Sequence, residues 1–167
     1  MPYHRLLAAL KDDKMLLINE FIFTFMRFEY ALKGSQYFMA NSTDAKADWG
    51  RFSTDISLTF DKNKSTHLRQ SVDFLLNDPP EKQVIDNGSL VFSNVLSQYP
   101  YDTQNLDVYI RRVRNNLFHG SKFTQNNDLP RDLELINASL IVLKEWVEIL
   151  PDVSEKFHKL ITENNKP

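Results

Sequence analysis

The side chains best suited to chemistry are concentrated in one short segment, residues 111–120, which reads Arg-Arg-Val-Arg-Asn-Asn-Leu-Phe-His-Gly. A histidine titrates near neutral pH, so His119 can accept or donate a proton during a reaction. An arginine stays charged, holds a phosphate in a bidentate fork and stabilises negative charge that develops in a transition state. This set of groups suits the cleavage of a phosphodiester bond.

The apolar spacing predicts a helix over residues 106–118 that positions these groups and ends near Gly120. The stripe expected to face the core is Leu106, Ile110, Val113 and Leu117, and the row expected on the opposite, exposed side is Asp107, Arg111, Asn115 and His119. Arg114 and His119 point about 140° apart on such a helix. Two copies crossing at a two-fold axis would bring both residue types into one cleft.

The same residues also allow a purely structural interpretation. A histidine just before a helix-ending glycine interacts favourably with the helix dipole. Arginines on the outer face of a helix are usually solvated, and solvated surface is the expectation for Arg112 in particular. The residues alone leave the catalytic and the structural interpretation open.

Helical periodicity dominates the rest of the chain, and the pattern predicts an all-α protein. Long or medium helices are expected over residues 13–33, 45–58, 65–76, 106–118 and 130–150, with shorter ones before residue 12 and over 154–163. Residues 79–104 are the least regular part, and Asn87-Gly88 is a turn signal. The predicted architecture is a single domain, residues 1–167, with a four- to five-helix up-and-down core and extra short helices.

Composition narrows the function classes. The 167 residues contain no cysteine, which excludes disulfides, thiolate zinc sites and a cysteine nucleophile. The net charge of −2 does not fit a protein that coats long nucleic acids. The most apolar stretch, residues 15–32, contains too many polar residues for a membrane span, so a cytoplasmic protein is expected. His4, His67 and His158 have no partners at metal-ligand spacing, and neither a metal nor a cofactor is predicted.

The string from Arg114 to His119 resembles the signature of the HEPN superfamily, an arginine and a histidine separated by four to six residues. Asn115 occupies the position that is usually polar in that family. The string closes an amphipathic helix in the second half of an all-helical chain, with one more long helix after it. Residues 27–33 and Pro79-Pro80 are similar to one HEPN branch.

The resemblance implies a HEPN-like helical bundle that works as a metal-independent, homodimeric endoribonuclease. In such enzymes attack by the RNA 2′-hydroxyl leaves a cyclic phosphate. It implies that His119 is the acid or base, Arg114 the phosphate and transition-state ligand and Asn115 the orienting residue. Many members are toxins or antiphage effectors, so an antitoxin or defence partner protein is an expected partner. Ser121 stands where the toxin branch paired with a nucleotidyltransferase has tyrosine, so that partner is not predicted.

Supporting roles are expected for a few further residues. Arg111, Asn116 and Lys122 are candidates for lining an RNA path. Glu29 lies on the apolar arc of the first helix and should be paired, either with Arg111 or Arg114 or with Lys33 one turn away. The alternatives to a nuclease are a HEPN domain that binds RNA or a nucleotide without catalysis, and a helical dimerisation or interaction module. Phe21, Phe23, Phe25 and Phe28 are expected in the core before any role in base stacking.

Overall fold

The computed structural model describes residues 12–119 and 129–159. Within these ranges the protein is predominantly helical. The helices are α1 (Asp12–Gly34), α2 (Trp49–Asp55), α3 (Thr66–Asn77), α4 (Asp102–His119), α5 (Leu129–Val147) and α6 (Pro151–His158), with a 3₁₀ turn at Lys62–Lys64. The strands β1 (Lys82–Asp86) and β2 (Ser89–Ser93) form an antiparallel hairpin between α3 and α4.

The core lies where α1 packs against α5 and α6, α3 packs against α5, and α2 packs against α4. Apolar residues that recur at steps of three and four along the long helices supply most of it. Aromatic rings fill its centre: Trp49 stacks on Phe25 with centroids 5.0 Å apart, and Phe52 meets Phe28 at 5.2 Å and Trp146 at 5.8 Å. The helices predicted over residues 13–33, 65–76, 106–118 and 130–150 are confirmed to within a few residues.

Local signals explain where several helices begin. The Asp48 carboxylate accepts a hydrogen bond from the Arg51 amide at 3.0 Å, so α2 begins at Trp49 rather than at residue 45. Ser65 caps α3 in the same way. Pro151 is the first residue of α6, which therefore begins before residue 154, where the sequence predicts its start.

The hairpin corrects the expectation that residues 79–104 lack regular structure. Asn87 and Gly88 have positive φ angles of 47° and 79°, which is the backbone of the two-residue turn that Asn-Gly favours between twisted strands. Ile85 pairs with Leu90 across the strands, and both side chains are exposed. The all-α expectation is therefore right for the class and wrong for this segment.

One face of α1 corrects the expectation for Phe23. Its side chain is 62% exposed, and Leu16, Met26 and Tyr30 at helical spacing are exposed on the same side. Phe21, Phe25 and Phe28 are buried as expected. No helix in the described part of the chain is long and apolar enough to cross a membrane.

Candidate functional site

The entry and exit of the hairpin are fastened to α4 by two polar side chains. Arg112 Nη1 donates to the carbonyls of Pro80 at 2.9 Å and Val95 at 2.7 Å, on either side of the hairpin. Asn116 Nδ2 donates to the Glu81 carbonyl at 2.8 Å. Arg112 is only 8% exposed, so the expectation that it is solvated is wrong. It is buried because the hairpin packs over it, and this burial lowers the pKa of Arg112.

A cleft of about 290 Å³ opens between the fastened hairpin and α4. Among the described residues, the lining combines four basic side chains, three amides and one apolar side chain, with no carboxylate: Lys82, Arg111, Arg112, His119, Gln83, Asn115, Asn116 and Val108. In a chain whose net charge is −2, this composition is a local exception. Charged and amide N–H groups can donate hydrogen bonds to an anion, so a lining of this kind suits an anionic ligand.

The structure brings together four of the residues predicted for the site: Arg111, Asn115, Asn116 and His119. Asn115 and His119 are exposed at the end of α4. His119 makes no hydrogen bond within the described residues, so its imidazole is free there to meet a substrate. Asn116 is mostly buried and anchors the hairpin, which assigns it a positioning role as well as a place in the lining.

Arg111 is held in the cleft by Asp107, one helical turn earlier. Arg111 Nε and Nη2 donate to the two carboxylate oxygens of Asp107 at 2.5 and 3.2 Å. Asp107 is 2% exposed, contrary to the expected exposed row, because α2 packs across the first half of α4. Burial raises the pKa of Asp107, and the hydrogen bond and charge of Arg111 oppose that rise. The pair leaves half-exposed Arg111 oriented before any ligand arrives.

Arg114 lies outside the lining of this cleft. Its guanidinium lies over the rings of Phe118, 4.7 Å from the centroid, and Phe25, 5.6 Å away. Its Nη1 donates to Asn115 Oδ1 at 3.0 Å. One copy of α4 therefore presents Arg114 and His119 to different surroundings, as the helical spacing predicts.

Glu29 and Lys122 complete the predicted set. Glu29 Oε1 accepts a hydrogen bond from the Trp49 indole at 3.0 Å, so the structure pairs it neither with Arg111 or Arg114 nor with Lys33. The indole is the partner because Trp49 packs on Phe25 and Phe28, on the same face of α1 as Glu29. Lys122, like the predicted helix end at Gly120 and the position of Ser121, lies outside the described residues.

Three lining residues are not among those the sequence predicts for the site: Val108 of α4, and Lys82 and Gln83 of β1. The Asn87-Gly88 turn is the signal that could have predicted a hairpin there. Within residues 12–119 and 129–159, no group of three histidine or acidic side chains is arranged to hold a metal ion. Comparison of the chain with family models, curated proteins and solved structures finds no match.

Proposed function

We propose that the protein is a HEPN-type endoribonuclease that cleaves RNA through attack of a 2′-hydroxyl and needs no metal ion. The observation that carries the proposal is the cleft between α4 and the hairpin, which is lined by basic and amide groups and has His119 at its edge. A phosphodiester requires such a set of groups, because its anionic oxygens need donors and its nucleophile must lose a proton.

In the proposed reaction, the imidazole of His119 accepts the proton of the 2′-hydroxyl. The 2′-oxygen forms a bond to the adjacent phosphorus, and the bond from phosphorus to the 5′-oxygen breaks. The departing 5′-oxygen takes that proton from the imidazolium of the same His119, which leaves a 2′,3′-cyclic phosphate and a 5′-hydroxyl. Arg111, oriented by Asp107, binds a non-bridging oxygen of the phosphate.

The proposal includes a homodimer, because Arg114 of one copy does not line the cleft that contains its own His119. A second copy of α4 related by a two-fold axis supplies Arg114 to that cleft, where it stabilises the charge of the transition state. Asn115 lines the cleft of its own copy and accepts a hydrogen bond from Arg114 of that copy, so in the proposed dimer it also contacts the arginine that serves the partner's cleft.

The first test is RNA cleavage by purified protein in EDTA. We expect His119→Ala to lower the rate about 10²- to 10⁴-fold, through loss of the proton carrier. Arg114→Ala should lower it about 10²- to 10³-fold. The control is His67→Ala, an exposed histidine outside the cleft, which should cleave like the wild type. A wild-type protein that leaves varied RNAs intact would refute the nuclease proposal.

Mixing the two inactive variants tests the composite site. A dimer of one Arg114→Ala copy and one His119→Ala copy holds one cleft with both groups intact and one with neither. We expect the mixture to regain roughly a quarter of wild-type activity, because half of the dimers are mixed and each has one working cleft. No recovery on mixing, with mixed dimers formed, would place Arg114 and His119 of the same copy in one site.

A second candidate function is RNA or nucleotide binding without cleavage. The position of Arg114 favours it, since the guanidinium packs on Phe25 and Phe118 rather than in the cleft. This candidate predicts salt-sensitive RNA binding by the wild type and equal inertness of wild type and variants in the cleavage assay.

A further inference from the structure

The β1–β2 hairpin forms one wall of the cleft, and it is held in place before any substrate binds. The Glu81 carbonyl accepts from Asn116, and the Pro80 carbonyl accepts from Arg112. Lys82 follows directly and is the first residue of β1, paired across the ladder with Ser93. The backbone that carries Lys82 is therefore fixed to the helix that carries His119.

Lys82 lacks the acidic partner that most other lysines have in the described part of the chain. Lys62, Lys64 and Lys144 each form an ion pair with a carboxylate, at N–O distances from 2.5 to 3.0 Å. Lys82 lines the cleft, is exposed and has no acidic partner within residues 12–119 and 129–159. Its positive charge is uncompensated where Arg111 and His119 also face the opening.

We infer that Lys82 binds a backbone phosphate of single-stranded RNA, so that the hairpin and α4 together grip the strand on either side of the cleft. The inference rests on the proposed function and adds the hairpin to the substrate site. An ammonium group on a flexible stem is a point charge that suits a phosphate without fixing its orientation. A phosphate contact positions the strand and carries no sequence information.

In this arrangement the two walls of the cleft bind different phosphates of the strand. Arg111 is held rigidly by two hydrogen bonds to Asp107 and suits the phosphate at the reacting centre. Lys82 lies on the opposite wall and suits a neighbouring phosphate along the strand. Loss of Lys82 should then weaken binding and raise KM, while kcat at saturating RNA changes little.

Binding can be measured apart from cleavage in His119→Ala protein, using fluorescence anisotropy of a short labelled single-stranded RNA at several salt concentrations. We expect Lys82→Ala to weaken binding roughly fivefold at low salt and to lessen the slope of log affinity against log salt by about one. Lys82→Arg should retain both. Lys33→Ala, which removes an unpaired lysine outside the cleft, should match the parent.

Each outcome decides the inference. Unchanged affinity and salt slope in Lys82→Ala would overturn it, and so would an equal loss in Lys33→Ala or the absence of RNA binding by the parent. A wild-type enzyme that cleaves RNA while Lys82→Ala binds normally would leave the nuclease proposal intact and remove only the grip. Lys82-dependent binding without wild-type cleavage would support the grip and refute the nuclease.

Discussion

At the scale of single residues, Asp107 orients Arg111, which lines the cleft. Its carboxylate is buried, so the ionised form is disfavoured by desolvation and favoured by Arg111. Desolvation is the larger of the two effects, and the pKa of Asp107 is raised above the ordinary value of an aspartate. The residue thus orients Arg111 at some cost to the folded state whenever it is ionised.

Asp107→Asn should reveal that cost as a pH dependence of stability. The folded state binds the Asp107 proton more tightly than the unfolded chain does, because the folded-state pKa is raised. Stability contributed by Asp107 is therefore fully present below the unfolded pKa of about 3.9, decreases as pH rises to the raised folded value, and is constant above it. We expect the free energy of unfolding of wild type minus Asp107→Asn to fall across this interval.

Urea denaturation of both proteins at a series of pH values measures that difference, and groups common to both proteins cancel. A difference that increases with pH would mean that Arg111 depresses the pKa of Asp107 and that the pair outweighs desolvation. Cleavage by the variant reports separately on Arg111, which loses its ionic partner but keeps an amide oxygen to accept from it.

Single residues also show which features of the site could be predicted from the sequence. The spacing of Arg111, Asn115 and His119 follows from helical geometry, so their convergence on one cleft was predictable. The burial of Asp107 and Arg112 was not, because it depends on α2 and the hairpin packing over opposite sides of α4. Periodicity describes one helix, whereas burial of a polar residue depends on elements distant in the sequence.

At the scale of elements, hydrophobic periodicity predicts the long helices but not the strands of the hairpin. The long helices were predictable because their apolar stripes are nearly continuous and buried. The strands bury almost no side chain completely, so they lack the alternation of buried and exposed residues that marks a strand. Polar contacts from Arg112 and Asn116 of α4 help to hold the hairpin in place.

Arg112→Ala should therefore destabilise the protein by about 2 to 3 kcal/mol. The substitution leaves the carbonyls of Pro80 and Val95 without the donor that satisfies them, and a charge-assisted hydrogen bond is worth about 1.5 to 3 kcal/mol. Urea unfolding measures the change. Arg69→Ala on the exposed face of α3 is the control and should stay within about 0.5 kcal/mol of wild type.

Hydrogen exchange adds a local readout to the same variant. Amides of β1 and β2 should exchange faster in Arg112→Ala than in wild type, by more than amides of α5 do, because the hairpin loses an anchor that the helical core does not use. A variant with wild-type stability and unchanged hairpin protection would show that the hydrogen bonds from Arg112 are not needed to hold the hairpin.

At the scale of the whole molecule, two of the exposed apolar features in the described part of the chain are candidates for the interface of the proposed homodimer. One is the α1 row that contains Phe23, and the other is Phe118, which is 58% exposed beside His119. A composite site needs the carboxyl ends of two α4 helices to lie close together, which places Phe118 in the interface. A dimer formed through α1 alone does not require the carboxyl ends of the two α4 helices to lie close together.

Paired lysine substitutions distinguish these surfaces. We expect Phe118→Lys to shift the mass in analytical ultracentrifugation from dimer towards monomer and to reduce RNA cleavage in parallel, because two charges would face each other across the two-fold axis. Lysine near the carboxyl end of a helix is compatible with the helix dipole, so the fold should persist. Leu58→Lys, at an exposed apolar residue after α2, should remain dimeric and active.

Phe23→Lys tests the alternative interface, the exposed apolar row of α1. If it separates the copies and Phe118→Lys does not, the dimer forms through α1, and Arg114 of one copy does not reach the cleft of the other. If wild type is a monomer that cleaves RNA, the composite site is wrong, and Arg114 must leave the rings of Phe25 and Phe118 to act beside its own His119. Loss of dimer and cleavage together in Phe118→Lys alone would support the shared cleft, since Phe118 is in contact with Arg114 and adjacent in sequence to His119.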